Sequence, residues 1–113
     1  MDLYGIPNCD TVKKARAWLD GHAIGYRFHD YKKEGAAPGL LAGWSATVGW
    51  EALLNRRGTT FRKLDEADRA ELDKDRAIAL MSEHPSLIRR PVVVHESGLL
   101  VGFDPLEWER TLC

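Results

Sequence analysis

The chain has only two cysteines, Cys9 and Cys113, at its opposite ends. That excludes a small secreted scaffold stapled by disulfides, which carries a dense set of bridges. No hydrophobic run is long enough to span a bilayer, and the opening Met1-Asp2-Leu3-Tyr4-Gly5 has an acid where a secretory leader has positive charge. We therefore expect a cytoplasmic protein that starts directly with folded structure and makes no membrane contact. Charge of one sign is also scarce. The 16 basic and 17 acidic side chains leave a net charge of −1, so no global field draws the chain to nucleic acid. Neither a Walker nor a dinucleotide-binding glycine pattern is present. His22, His29, His84 and His95 have no metal-ligand spacing with one another or with the cysteines. Neither a metal nor a nucleotide cofactor is expected.

What is there is an ordinary globular balance, 44% hydrophobic and 29% charged over 113 residues, enough for a single domain covering 1–113. Leu3, Tyr4 and Ile6 make a short β-like start that ends at the turn formers Pro7 and Asn8. Asp10 to Asp20 then places Val12, Ala15 and Leu19 at helical spacing, with Asp10 or Thr11 available as the cap and Gly21 as a stop. From Ile24 to Tyr31 the residues Ile24, Tyr26 and Phe28 alternate with Gly25, Arg27 and His29, the period of a half-buried strand. Strand, helix and strand make a βαβ unit.

The middle third is helical in character. Leu40, Leu41 and Trp44 follow Pro38, Trp50 to Leu54 suggest a second helix, and Asp65 to Met81 one or two more with Ala67, Ala70, Ile78 and Met81 inward. After it, Pro91-Val92-Val93-Val94 suits a buried strand, Glu96-Ser97-Gly98 a turn, and Leu99 to Phe103 a hairpin partner. Asp104, Pro105 and Glu107 have the arrangement of a capping box for a last helix. Trp18, Trp44, Trp50 and Trp108 read as packing residues within helical patterns. This order of elements predicts an α/β protein with helices around a mixed sheet.

The chemistry concentrates at Cys9, just before the first turn of the first helix. Unpaired N–H groups and the positive end of the helix dipole favour a thiolate there. Lys13 one turn on and Arg16 two turns on add positive field, and Asp10 opposes it. An inert cysteine at a strand end is the competing reading. Arg89 and Arg90 form a doubled cation before Pro91, costly to bury unless it meets an anion, with a solvated basic corner as the alternative.

Three segments together carry a resemblance that covers nearly the whole chain: Asn8-Cys9-Asp10-Thr11-Val12-Lys13-Lys14-Ala15, Leu54-Asn55-Arg56-Arg57-Gly58-Thr59-Thr60, and His84-Pro85-Ser86-Leu87-Ile88-Arg89-Arg90-Pro91-Val92-Val93-Val94. The chain resembles the ArsC/Spx family, in particular its YffB-like members. The resemblance implies a thioredoxin-like (glutaredoxin-like) fold, a mixed four-stranded sheet with a helical insertion over about 36–84. It implies Cys9 as nucleophile, Arg90 as a ligand for an anionic substrate or thiol, and a cis bond at Arg90-Pro91. One further arginine from the insertion matches Arg56 or Arg57. With Asn8 and Lys13 these complete the expected substrate- or glutathione-binding set. Two departures stand out. The third arginine of the family's arsenate reductases is missing from Val101-Gly102-Phe103-Asp104-Pro105, and Val12 occupies the place of the second cysteine of Spx-type regulators.

A nucleophilic thiol without a resolving neighbour attacks a substrate and is rescued by an external thiol through a mixed disulfide. By resemblance that thiol is glutathione, acting as co-substrate. The expected function is a glutathione-dependent thiol reductase acting on an unidentified small-molecule or protein disulfide. Glutaredoxin-linked arsenate reduction and Spx-like binding to RNA polymerase are the alternatives.

Overall fold

The computed structural model describes every residue from Met1 to Cys113. The chain opens with β1 (Asp2–Gly5), α1 (Asp10–Gly21), β2 (Arg27–Asp30) and α2 (Tyr31–Glu34). Five helices follow: α3 (Pro38–Val48), α4 (Trp50–Leu53), α5 (Thr59–Arg62), α6 (Glu66–Ala70) and α7 (Lys74–Glu83). A short 3-10 helix at Pro85–Leu87 leads to β3 (Val92–His95), β4 (Gly98–Val101) and α8 (Pro105–Leu112). The residues group into two compact units, Met1–Glu34 with Arg90–Cys113, and Gly35–Arg89.

The first unit is built on a four-stranded mixed sheet of order β2-β1-β3-β4. β1 runs parallel to β2 and antiparallel to β3, and β3 and β4 form the hairpin that their β-branched run and Glu96-Ser97-Gly98 turn predicted. Register puts Phe28, Leu3, Val93 and Leu100 in one cross-strand row. Leu3, Val93 and Leu100 join Val12, Ala15 and Leu19 of α1 and Trp108 of α8 in one core cluster. Each fully buried aliphatic side chain contributes about 1.5–3 kcal/mol. Gly5 is what lets α1 approach β1, since a Cβ there would stand 2.9 Å from Val12 Cγ2. Asp104 caps α8 as expected, with its Oδ1 accepting from the Leu106 N–H at 3.1 Å.

Three local expectations need correction. The strand foreseen from Ile24 begins only at Arg27, because the chain is still closing α1: Ile24 N–H donates to the Leu19 carbonyl at 3.0 Å, and Ala23 takes φ +55°. Nor does it reach Tyr31, because the Asp30 carboxylate accepts from Lys32 N–H at 2.8 Å and turns the chain into α2. Ala67 and Ala70 are exposed rather than inward. They fall on the single short turn of α6, whereas α7 buries Ala77, Ile78, Leu80 and Met81.

The second unit is all-helical. Leu41, Trp44, Leu53, Leu54, Ile78, Met81, Leu87 and Ile88 are buried. A single antiparallel bridge, Leu54 with Ile88, is flanked by two short bonds: Asn55 N–H to the Leu87 carbonyl and Arg89 N–H to the Leu53 carbonyl, both 2.7 Å. This bridge anchors one end of the loop that carries Arg56 and Arg57.

Candidate active site

The turn Ile6-Pro7-Asn8 carries the chain from β1 into α1, and Cys9 takes the N-cap position with extended backbone, φ −113° and ψ +125°. This replaces the expected cap at Asp10 or Thr11. Asp10 is already helical, because the first helical hydrogen bond runs from Lys13 N–H to the Cys9 carbonyl at 2.9 Å. The Cys9 side chain is half-buried and packs on the Leu3–Trp108 core. A cap position ordinarily offers an oxygen to the first-turn N–H groups; here it offers a sulfur.

Burial alone pushes the Cys9 thiol up. The Val12 N–H, the Arg90 side chain through both its hydrogen bond and its charge, and the Thr11 N–H together outweigh that, so Cys9 titrates below its ordinary value. The first-turn amides favour the anion over the thiol, the direction a nucleophile requires.

Arg90 comes from the other end of the unit's sequence. The Arg90-Pro91 bond is cis, Pro91 is buried, and its carbonyl accepts from Gly102 N–H at 2.8 Å. The doubled cation of the sequence is divided in the fold: Arg89 is exposed, and Arg90 is half-buried on Cys9. Asn8 and Lys13 are exposed on either side of the Cys9 turn. Cys9, Asn8, Lys13, Arg90 and Pro91 therefore belong to one compact unit.

Arg56 and Arg57 belong to the other unit and are both exposed. The Arg56 guanidinium lies over the Trp50 ring, 5.6 Å from its centroid. Arg57 N–H donates to Asn55 Oδ1 at 3.1 Å, and Gly58 lies so close to the Asn55 amide that a Cβ would stand 3.0 Å from it. The loop is thus shaped by Asn55, with Arg56 drawn onto an aromatic face.

Two aromatic residues of the first unit were not singled out from the sequence. Tyr31 is 1% exposed and its hydroxyl is buried without a hydrogen-bond partner. Its ring stacks on Tyr4 with centroids 6.2 Å apart, and Tyr4 stacks in turn on His29 at 4.3 Å. His29 bridges two carboxylates, Asp2 at 2.8 Å and Glu34 at 3.1 Å. A strand-to-helix junction at Asp30-Tyr31 was the only sequence signal available, and the alternation from Ile24 concealed it.

The ArsC family profile matches residues 4–111. The chain belongs to the ArsC family. A solved structure described as the YffB protein is 53% identical, with a TM-score of 0.96 over 99% of this chain and 98% of that one. An arsenate reductase (ArsC) related protein from Brucella melitensis is 51% identical, with a TM-score of 0.78 over 98% of this chain and 92% of that one. The global transcriptional regulator Spx of Enterococcus faecalis is 33% identical across 99% of this chain and 86% of its own length. The mixed sheet with its helices is accordingly the thioredoxin-like fold of an arsenate reductase-like family. No helix of it is long and apolar enough to cross a membrane.

Proposed function

We propose that this ArsC-family protein is a glutathione-dependent thiol reductase working through a single cysteine. The observation that carries the reading is the half-buried Cys9 thiol at the start of α1 with Arg90 on its sulfur. In a glutathione mixed disulfide, R–S–S–G, the Cys9 thiolate attacks the glutathione sulfur. The R–S bond breaks, R–S⁻ leaves with the electron pair, and Cys9–S–S–G forms. The thiolate of a second glutathione attacks the same sulfur, forms oxidised glutathione and releases Cys9 as thiolate. No further oxidant or reductant is consumed. Arg90 holds a carboxylate of the incoming glutathione through its guanidinium fork. A glutathionylated protein or small molecule is the substrate class, with glutaredoxin as an alternative thiol donor.

Arsenate reduction is the weaker chemistry for these residues. The position of the missing third arginine is held by Gly102, at φ +78°, and by Phe103, whose ring packs edge-on against Trp108 at 4.8 Å. The Trp108 indole N–H donates to the Gly102 carbonyl at 3.2 Å. Each missing charge-assisted contact forfeits roughly 1.5–3 kcal/mol of oxyanion binding. Binding to RNA polymerase is a second reading, favoured by the Spx identity. Redox switching by a local cysteine pair is foreign to it, because Val12 is fully buried core here.

The test is intact mass after exposure to oxidised glutathione, together with turnover of a glutathionylated peptide by glutathione. One adduct on Cys9 and turnover lost in Cys9→Ser support the reductase. Stoichiometric retention of polymerase from lysate, with no turnover, supports the regulator instead.

A further inference from the structure

α1 has two unlike flanks beside its buried stripe of Val12, Ala15 and Leu19. Trp18 lies on one, edge-on to Trp108 of α8 at 5.7 Å. The other runs through Cys9, Lys13 and Arg16, whose i, i+4, i+7 spacing sets the cap position and two cations above one another on a single face. Lys13 is exposed and Arg16 half-buried, and neither takes part in an ion pair. Arg16 is nonetheless fixed. Its Nε donates to the Tyr26 hydroxyl at 3.1 Å, and its guanidinium carbon lies 4.2 Å over the Phe28 ring centroid and 6.0 Å from that of Tyr26.

An arginine held by its Nε and its flat face keeps its terminal Nη donors for another group. Stacking has already removed much of the side-chain freedom that an arginine otherwise loses on binding. The arrangement is a preorganised receptor for a carboxylate. Its place on α1 limits whose carboxylate that is. Seven residues of helix rise about 10 Å from Cys9 to Arg16, the span of three residues of extended chain at about 3.3–3.6 Å each. Lys13 stands about 6 Å along the axis, level with the second residue of such a chain. An acidic side chain two or three residues from a substrate's disulfide-bonded cysteine therefore meets a cation at either position. Asp20, one turn beyond Arg16 on the same face, ends the stripe, because an acid further out meets a like charge.

We propose that Lys13 and Arg16 form a docking track for an acidic peptide segment, so that the substrates of Cys9 are protein disulfides with an Asp or Glu two to three residues from the reacting cysteine. Lys13 attracts the segment. Arg16, fixed by Tyr26 and Phe28, takes its carboxylate in a two-donor grip and determines the preference. The inference deepens the substrate class and rests on the reading of Cys9 as the thiol that exchanges with a substrate disulfide.

Activated peptide disulfides test it without glutathione. In a Cys113→Ser background, Cys9 reacts with a single-cysteine peptide carried as its thiopyridyl disulfide: the thiolate attacks the peptide sulfur, Cys9–S–S–peptide forms, and pyridinethiolate leaves with the electron pair and is read by absorbance. Two peptides differ only in having Glu or Gln at the third position on both sides of the cysteine. The Glu peptide should react about fivefold faster at low ionic strength, and high salt should shrink the preference. Arg16→Gln should remove most of it while reacting with neutral dipyridyl disulfide at the rate of the parent, since the charge acting on the Cys9 thiol is that of Arg90. Arg16→Lys should keep only part of the preference. Tyr26→Phe, which retains the ring but loses the hydroxyl that holds Nε, should weaken it. Equal rates for the two peptides in the parent, or a preference that survives in Arg16→Gln, overturns the proposal. A raised KM for glutathione in Arg16→Gln without any Glu–Gln preference would assign the arginine to a glutathione carboxylate and overturn it likewise. Absent glutathione turnover with an intact Glu preference would refute the reductase reading and leave the docking track in place.

Discussion

The two cysteines sit at opposite kinds of helix end. Cys9 caps the N-terminus of α1, where N–H groups face outward, and Arg90 lies on its sulfur. Cys113 caps the C-terminal end of α8, its own N–H spent on the Glu109 carbonyl at 3.1 Å, and its side chain is exposed. There the unpaired groups are carbonyls, which repel an anion. The same residue type thus meets two electrostatic fields in one small fold, and the helix end rather than the thiol distinguishes the proposed nucleophile from its counterpart. Because both thiols are in one molecule, Cys113 serves as an internal reference for every perturbation of Cys9.

The largest expected effect breaks the comparison outright. Cys9→Ser should abolish turnover of a glutathionylated peptide, and Cys113→Ser should retain it. An intramolecular Cys9–Cys113 disulfide on mass mapping, with turnover lost in Cys113→Ser, would instead make the two ends partners in a dithiol mechanism.

Removing the cation comes next. Arg90→Ala should raise the pH midpoint of Cys9 alkylation, which lies below the ordinary thiol value in the parent, and weaken binding of an anionic thiol by about tenfold or more. Arg90→Lys should recover only part of the binding, since a point charge cannot reproduce the planar fork. The Cys113 alkylation rate should be the same in all three proteins. An unmoved Cys9 midpoint in Arg90→Ala would remove that residue from the site.

A mechanical perturbation should be smaller. Gly5→Ala pushes a methyl group against Val12, with which a Cβ would be 2.9 Å apart. The expected loss is about 1–3 kcal/mol, read by denaturant titration, as α1 shifts off the sheet. Cys9 alkylation should change with it, and Cys113 alkylation should not.

The smallest effect is a pH dependence at the edge of the sheet. His29 is lowered by burial, but its bonds to Asp2 and Glu34 and their charges raise it further, so it titrates above its ordinary value. Asp2 is lowered chiefly by its bond to His29. The raised histidine contributes stability in full below the unfolded value near 6.5 and loses it as pH rises through the folded one. The lowered aspartate contributes above its unfolded value near 3.8 and loses it as pH falls through the folded one. The latch is therefore complete between those two unfolded values. His29→Gln should flatten the loss of stability above pH 6.5, by less than about 1 kcal/mol because the partners are solvated. Identical pH–stability curves would show the latch to be inert.

Much of the architecture was legible where neighbouring residues settle the matter among themselves. The stripe Val12, Ala15 and Leu19 defines the buried face of α1, the β-branched run and turn define the hairpin, and Asp104-Pro105 starts α8. The misreadings fall where a local pattern met a competing constraint. Alternation from Ile24 suggested a strand, but the closing turn of α1 held Ile24 and Ala23 out of it, and the Asp30 carboxylate drew Tyr31 into a helix. Ala67 and Ala70 have helical spacing, yet α6 is too short to have a buried face.

By itself the sequence determined the candidate nucleophile, its place before a helix, and the arginine-proline step far along the chain, because helix capping, turn formation and strand preference act over a few residues. The resemblance had already pointed to Arg90; only the tertiary structure showed why, with Arg89 exposed and Arg90 half-buried, and that Tyr31 lies enclosed. Those pairings depend on strand order and register: β3 enters the sheet beside β1, and that brings residue 90 to the end of the strand from which Cys9 departs. Separation of about eighty residues in sequence carries no information about such a meeting until non-local strand pairing closes it.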